Sequence, residues 1–210
     1  MRKIKKIGDV ETFPVDVIIN KPVRENTRVL FSHIARYVIA CRKLDINDRN
    51  VVVDASCGEG YGTYYLSTKA EKVYGLDIYE TNLKYARKYF DVDNVRFLKY
   101  FDFLKTKISR VDKLVCIETL EHISKKNMEE YIKLLMRILK VRGDMFLTIP
   151  LGENEPSVYN KFHKNEPSID VIYKIFMPRF EKIDIEISSF INSYGEETEY
   201  AMFSMYNKRN

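Results

Sequence analysis

Residues 51–63 read VVVDASCGEGYGT. Three β-branched valines followed by an acid predict a buried strand, and three glycines at alternate positions predict a turn that opens a helix. Because glycine has no Cβ, the backbone N–H groups of such a turn can approach a ligand closely. The stretch therefore predicts a strand, a ligand-binding turn and a helix, in that order.

A second acid follows at the distance that a nucleotide-binding unit requires. Residues 72–76 are apolar-rich and predict another strand, which ends at Asp77. An acid about 20 residues beyond a glycine turn is where a βαβ unit places the carboxylate that accepts hydrogen bonds from ribose hydroxyls. Turn and acid together favour a nucleotide-type cofactor over a flexible glycine-rich loop.

The residues of the turn distinguish one cofactor from another. Dinucleotide sites follow the pattern G-x-G-x-x-G, whereas residues 54–60 read DASCGEG. This resembles motif I of class I S-adenosylmethionine-dependent methyltransferases, with Ser56 where the family most often has its first glycine. The resemblance implies S-adenosylmethionine as cofactor, with Asp54 holding its methionine amino group. The cofactor-binding residues it implies are Asp54, Ala55, Ser56, Gly58, Gly60, Asp77, Ile78, Asp102, Phe103 and Glu118.

The order of predicted elements indicates an α/β fold. Apolar runs predict five strands up to residue 149 with helices between them, and two final strands at 180–187 and 198–206. Gly143 is expected to supply the turn before the fifth strand. The resemblance implies a Rossmann-like, seven-stranded, mostly parallel sheet with helices on both faces and an antiparallel last strand. It also implies that Asp102 bonds the adenine amino group while Phe103 packs on the ring.

The length of 210 residues predicts a single methyltransferase domain. Within it we expect an N-terminal helical cap at 1–45 and a cofactor-binding core at 46–150. A loop and a helix over the active site follow at 151–178, and the final two strands occupy 179–210. The loop at 151–167 is long, and long loops in compact domains are usually functional or disordered.

The composition is that of a globular protein without membrane insertion. Hydrophobic residues make up 45% of the chain and charged residues 31%, which excludes a disordered chain. His33 and Arg36 interrupt the apolar run at 29–40, so we expect no membrane span. The three cysteines are widely spaced, which is typical of a reducing cytoplasm and argues against a thiolate metal site.

The net charge of +5 is concentrated at the two ends of the chain, which leaves the body at −1. An overall basic surface for nucleic acid is therefore not predicted, although basic tails can contact RNA. The six terminal positive charges belong to Arg2, Lys3, Lys5, Lys6, Lys208 and Arg209.

Residues 25–42 predict a helix that carries the segment His33-Ile-Ala-Arg36-Tyr37. This segment resembles an H-x-x-R-Y stretch ahead of motif I in a bacterial branch of the family linked to glycan and small-molecule modification. The resemblance implies that His33, Arg36 and Tyr37 bind the substrate. Helix spacing alone also allows His33 and Arg36 to be ordinary polar-face residues.

The chain has three histidines, and we expect all three at the mouth of the cofactor site. A hydroxyl acceptor must lose a proton during methyl transfer, and histidine titrates near neutrality. His122 follows the predicted strand at 111–117, and His163 lies on the loop after the fifth strand, in a segment that resembles the F-H-x-x-E stretch of the same branch. These two are the candidate general bases.

Glu118, Glu121, His122 and His163 resemble the E-x-x-E-H plus distant histidine pattern of metal-dependent family members, including small-RNA 3′-end 2′-O-methyltransferases. That resemblance implies a Mg²⁺ or Mn²⁺ ion bound by mixed carboxylate and imidazole ligands. The alternative assigns Glu118 to cofactor positioning, Glu121 to a helix start and His122 to packing or proton transfer.

The resemblance implies an S-adenosylmethionine-dependent O-methyltransferase that acts on a hydroxyl of a sugar or small metabolite. Two alternatives stay open. One is a metal-dependent RNA ribose 2′-O-methyltransferase, and the other is a non-catalytic, methyltransferase-like binding subunit. The N-P-P-Y type motif of methyltransferases that act on base amino groups is absent from the sequence.

Overall fold

The computed structural model describes residues 27–106, 110–152, 155–157, 160–191 and 197–207. The six basic residues at the chain ends and the predicted start of the first helix at residue 25 lie outside these ranges.

The strands of the described chain form one seven-stranded sheet in the order β3-β2-β1-β4-β5-β7-β6. β4 has the bounds predicted from apolar runs, and β1, β2, β3 and β7 are close to theirs. β6 ends four residues later than predicted, and β5 begins at Leu139, six residues before the start predicted for it at Met145. The strands are β1 (Val51–Ala55), β2 (Lys72–Asp77), β3 (Val95–Lys99), β4 (Val111–Ile117), β5 (Leu139–Pro150), β6 (Lys182–Ile191) and β7 (Glu197–Tyr206).

Helices and one short 3-10 turn alternate with the first five strands, and a further helix precedes β6. The described helices are α1 (Thr27–Lys43), α2 (Tyr61–Ser67), α3 (Glu80–Phe90), α4 (Tyr100–Lys105), α5 (Lys125–Ile138) and α6 (Ile169–Phe176), and the 3-10 turn is Leu120–His122. The side chain of Ser168 caps α6 by accepting a hydrogen bond from the Val171 N–H. None of the helices in the described ranges has the length and apolar character needed to cross a membrane.

The predicted fold class is confirmed. Strands β1, β2 and β3 pair in parallel, as do β4 and β5. The last strand, β7, runs antiparallel to both β5 and β6. The chain divides into two compact units, one up to residue 108 and the other from residue 109. The description of the chain as one methyltransferase domain stays a prediction.

The first unit is built on β1, β2 and β3. The apolar side chains of Val52, Val53, Val73 and Val95 are fully buried, as expected for parallel strands covered on both faces. Each of these strands ends close to a predicted cofactor residue, so the strand ends position that set.

In the second unit, the predicted turn at Gly143 is wrong. Strand β5 begins at Leu139, and its register with β4 shifts between Val111 and Lys113. A Cβ at Gly143 would lie 2.9 Å from the main-chain oxygen of Asp112, so glycine allows the close packing of β5 on β4 where the strand is irregular. Immediately after the shift, the buried Lys113 ammonium pairs with Asp144 across the two strands at 2.5 Å.

Candidate active site

A buried carboxylate lies near the end of β1. Asp54 has no exposed surface, and its Oδ2 accepts a hydrogen bond of 2.6 Å from the Thr63 hydroxyl. The Tyr37 hydroxyl donates to Oδ1 at 3.2 Å. Burial raises the pKa of Asp54 to about 7, and the hydrogen bonds from Thr63 and Tyr37 offset part of that rise. The site therefore holds a carboxylate whose charge is only partly compensated by its neighbours.

The glycine turn follows directly and uses left-handed backbone conformations. The φ angle is 69° at Ser56, 54° at Gly58 and 94° at Gly60, a region that favours glycine. Ser56 thus has the backbone conformation that the family's usual glycine adopts most easily. An added Cβ at Gly58 would meet nothing within 4 Å, so the space beside this residue is open.

Asp77 at the end of β2 is hydrogen-bonded to the turn. Its Oδ2 accepts from the Gly58 N–H at 2.9 Å, and its Oδ1 accepts from the Tyr79 N–H at 2.8 Å. The Asp77 side chain is buried, whereas the neighbouring Ile78 is 64% exposed. A carboxylate oxygen has two lone pairs, so each oxygen can accept a further bond from a ligand hydroxyl.

One of the proposed cofactor residues, the aromatic neighbour of Asp102, faces the core. Phe103 is buried and packs edge-on against Tyr74, with ring centroids 5.2 Å apart. Asp102 faces solvent and pairs with Lys105 at 3.6 Å. Residues 100–105 form the short helix α4, which turns Phe103 towards the core and leaves Phe101 69% exposed. Among residues 100–105, the exposed aromatic side chain is therefore Phe101.

The predicted substrate residues lie on α1. The His33 Nδ1 atom is 2.7 Å from the Tyr61 hydroxyl, and the two rings are stacked. Arg36 has no exposed surface, so it is not an ordinary polar-face residue. The ring of Tyr37 lies directly over the start of α2, where a Cβ at Gly62 would come within 2.0 Å of it.

In the second unit, β4 ends in a strained residue. Glu118 has a φ of 47°, and its N–H donates to the Thr148 hydroxyl at 3.2 Å. Left-handed conformations cost energy for residues other than glycine and cluster at functional sites. The sharp change of direction starts the short turn that carries Glu121 and His122.

Three of the four predicted metal ligands come together. Glu121, His122 and His163 each offer a ligand atom, and these atoms lie within 4.8 Å of one another. Glu121 is buried, His163 is half-buried and His122 is exposed. Glu118 is not a member of this group among the described residues.

Hydrogen bonds fix both imidazoles of the group. The His122 Nδ1 atom lies 3.1 Å from the Phe162 carbonyl oxygen, and the His163 Nδ1 atom lies 2.6 Å from Glu166 Oε1. The two rings meet edge to face, with centroids 5.0 Å apart. Burial lowers the pKa of His122, the bond to Phe162 partly offsets this, and the charge of His163 lowers it further.

Several residues that contact the predicted site residues were not predicted from the sequence. Tyr61 contacts His33 because α1 and α2 pack together, and Thr63 bonds to Asp54 because α2 packs on β1. No local sequence pattern indicates either contact. Glu166 could have been predicted from the sequence, since it lies three residues after His163 in the F-H-x-x-E stretch. The three cysteines are buried and reduced, and burial raises the pKa of the Cys57 thiol well above its usual value, in agreement with a packing role.

Comparison with known proteins gives one family and many similar folds. Residues 52–143 match the family model described as a methyltransferase domain. No curated protein sequence matches this chain.

Solved structures share the fold at low sequence identity. A protein of Bacillus subtilis named YcgJ is 13% identical with a TM-score of 0.64, over 84% of this chain and 100% of that chain. The 1,6-didemethyltoxoflavin-N1-methyltransferase of Burkholderia thailandensis, solved with S-adenosylhomocysteine, is 14% identical with a TM-score of 0.64, over 84% of this chain and 79% of that chain.

The N-methyltransferase NodS of Bradyrhizobium japonicum, also solved with S-adenosylhomocysteine, is 15% identical with a TM-score of 0.64, over 90% of this chain and 94% of that chain. Residues 52–143, less than half of the chain, thus match a methyltransferase domain. The described chain shares its fold with solved methyltransferases.

Proposed function

We propose that this chain transfers a methyl group from S-adenosylmethionine to a hydroxyl group of a sugar or another small metabolite. The observation that carries the proposal is the pair of imidazoles of His122 and His163. Each has its Nδ1 atom against a hydrogen-bond acceptor, which suits the other nitrogen to accept a proton.

The first unit fits the cofactor. The open space beside Gly58 lets the backbone approach a ligand, and the buried Asp54 carboxylate suits the methionine ammonium group. Asp77 would accept the ribose hydroxyls, and Ile78 with Phe101 would cover the adenine, which moves the role predicted for Phe103 to its exposed neighbour. When bound, S-adenosylmethionine supplies an electrophilic methyl group on its sulfonium sulfur. The other proposed cofactor residues remain Ala55, Ser56, Gly60, Asp102 and Glu118.

The choice of a hydroxyl acceptor follows from the need for a base. A neutral amine attacks with its own lone pair, whereas a hydroxyl is a weak nucleophile until its proton is taken. His163 or His122 would accept that proton as the oxygen–carbon bond forms and the methyl–sulfur bond breaks, with S-adenosylhomocysteine as the leaving group. The H-x-x-R-Y segment supports a sugar or small-metabolite acceptor, with His33, Arg36 and Tyr37 as its proposed binding residues.

A second candidate is metal-dependent ribose 2′-O-methylation of RNA. The grouping of Glu121, His122 and His163 favours it, because a carboxylate and two imidazoles suit Mn²⁺ or a similar ion. Such an ion would bind the acceptor's hydroxyls and lower their pKa. Glu118 remains a proposed fourth ligand by resemblance only.

A non-catalytic binding subunit is the third candidate. Loss of the glycine turn or of the ribose acid would favour it. Gly58, Gly60 and Asp77 are present, and Gly58 is hydrogen-bonded to Asp77, which argues for a working cofactor site.

Transfer of labelled methyl from S-adenosylmethionine into a fractionated extract of the source organism tests the choice between these functions. We expect label in the glycan or small-metabolite fraction, with or without a chelator. Label confined to RNA and abolished by the chelator would replace the proposal with the ribose reaction. The absence of label from every fraction would favour the binding subunit.

Replacement of the base should slow transfer without weakening cofactor binding. We expect His163→Ala or His122→Ala to lower the transfer rate by about 10²–10⁴-fold, the range typical of general base catalysis. Lys164→Ala is a matched control, because Lys164 is exposed and its main-chain bond to Glu121 is retained. If both single variants and the double variant transferred methyl at the wild-type rate, neither His122 nor His163 would be the base.

Cofactor affinity should depend on pH through Asp54. The pKa of this group is about 7 in the ligand-free protein, so below pH 7 the carboxyl is increasingly neutral and must lose a proton to pair with an ammonium group. Between pH 7 and pH 5.5 we expect the affinity for S-adenosylmethionine to fall by about tenfold per pH unit, as measured by calorimetry. Asp54→Asn should bind more weakly and lack this dependence. An equal slope in the variant would assign the effect to another group.

A further inference from the structure

The segment from Asn160 to Glu166 contains His163 and contacts His122, the two histidines of the second unit. The Phe162 carbonyl lies against His122, and the Glu166 carboxylate lies against His163. One stretch of seven residues therefore contacts two separate imidazoles, and its conformation determines how each ring is turned.

Main-chain hydrogen bonds fix the segment in place. The N–H groups of Lys164 and Asn165 both donate to the Glu121 carbonyl, at 2.8 and 3.2 Å. The Glu166 N–H donates to the Glu155 carbonyl at 2.9 Å. These bonds tie the loop to the turn that carries His122.

Glu166 has a specifically built environment. A Cβ at Gly152 would lie 2.2 Å from the Glu166 Cβ and 2.5 Å from its carbonyl oxygen, so glycine is required for this close approach. The Glu166 side chain is 20% exposed and that of His163 is 15% exposed. The 2.6 Å bond between them is thus largely sheltered from solvent.

The chemistry of the acceptors decides which nitrogen of each ring carries the proton. A carboxylate and a carbonyl oxygen accept hydrogen bonds and cannot donate them. Nδ1 of His163 and Nδ1 of His122 are therefore the protonated nitrogens of the neutral rings. Nε2 of each ring then carries the lone pair that accepts a proton or binds a metal ion.

We propose that Glu166 is a positioning residue that fixes the Nδ1–H tautomer and the ring orientation of His163, so that Nε2 is the nitrogen presented for reaction. This inference rests on the proposed function for its catalytic consequence. The tautomer itself is a property of the protein without cofactor or acceptor.

The test compares the full-length protein with Glu166→Gln by nitrogen-15 NMR of labelled histidines, at a pH where the rings are neutral. In the wild type we expect His163 to be protonated at Nδ1. In Glu166→Gln the amide can accept or donate, so we expect a mixed tautomer population. Methyl transfer should fall by about 10–100-fold, the range typical of lost outer-shell partners, with cofactor affinity unchanged.

Glu155→Gln is the matched control. Glu155 is exposed and forms an isolated antiparallel β-bridge with Glu166. Glu155→Gln therefore removes a nearby carboxylate but keeps the bond from the Glu166 N–H to the main-chain carbonyl of residue 155. It should leave the tautomer and the transfer rate as in the wild type. Glu166→Asp, which retains the charge but shortens the reach, should resemble Glu166→Gln if the contact with His163 matters.

An Nε2–H tautomer in the wild type, or an Nδ1–H tautomer retained in both Glu166 variants, would overturn the proposal. Failure of the proposed function gives a different result. If His163→Ala transfers methyl at the wild-type rate while Glu166→Gln still changes the tautomer, then Glu166 positions His163 and His163 is not the base.

Discussion

The first unit depends on the stabilisation of one buried carboxylate. Asp54 lies near the end of β1, among residues 52–55, which are all buried, and an uncompensated charge is costly there. Hydroxyls from two helices reach it, Tyr37 from α1 and Thr63 from α2. The close contact of Tyr37 with Gly62 brings these helices together, so the last glycine of the turn serves packing while the earlier ones serve backbone conformation. The same residues therefore contribute to the fold and place a buried carboxylate beside the glycine turn.

In the second unit, the groups that the fold holds in place are the imidazoles of His122 and His163. Its strained Glu118 redirects the chain after β4, and the loop after β5 bonds back to Glu121 through main-chain N–H groups. That arrangement turns a long loop into a fixed support for His122 and His163. Electrostatic pre-organisation of this kind lets a group accept a proton without first rearranging its surroundings.

Much of the fold could be predicted from the sequence, since apolar-rich runs ending in Asp54 and Asp77 indicate the strands of a βαβ unit. The turn predicted at Gly143 was wrong because glycine occurs both at turns and where backbones pack closely, and a single sequence does not distinguish the two uses. Phe103 and Phe101 could not be separated either, since which of them is buried depends on the short helix α4. Contacts such as Thr63 with Asp54 arise from tertiary packing, whereas the spacing of Glu166 from His163 was legible in advance.

We propose that the glycine turn and Asp77 bind S-adenosylmethionine. Calorimetric titration of the purified full chain with S-adenosylmethionine, and separately with NAD, tests it most directly. We expect saturable binding of S-adenosylmethionine to one site, no binding of NAD, and a large loss of affinity in Asp77→Ala. Binding of NAD instead, or equal affinity in Asp77→Ala and the wild type, would contradict it.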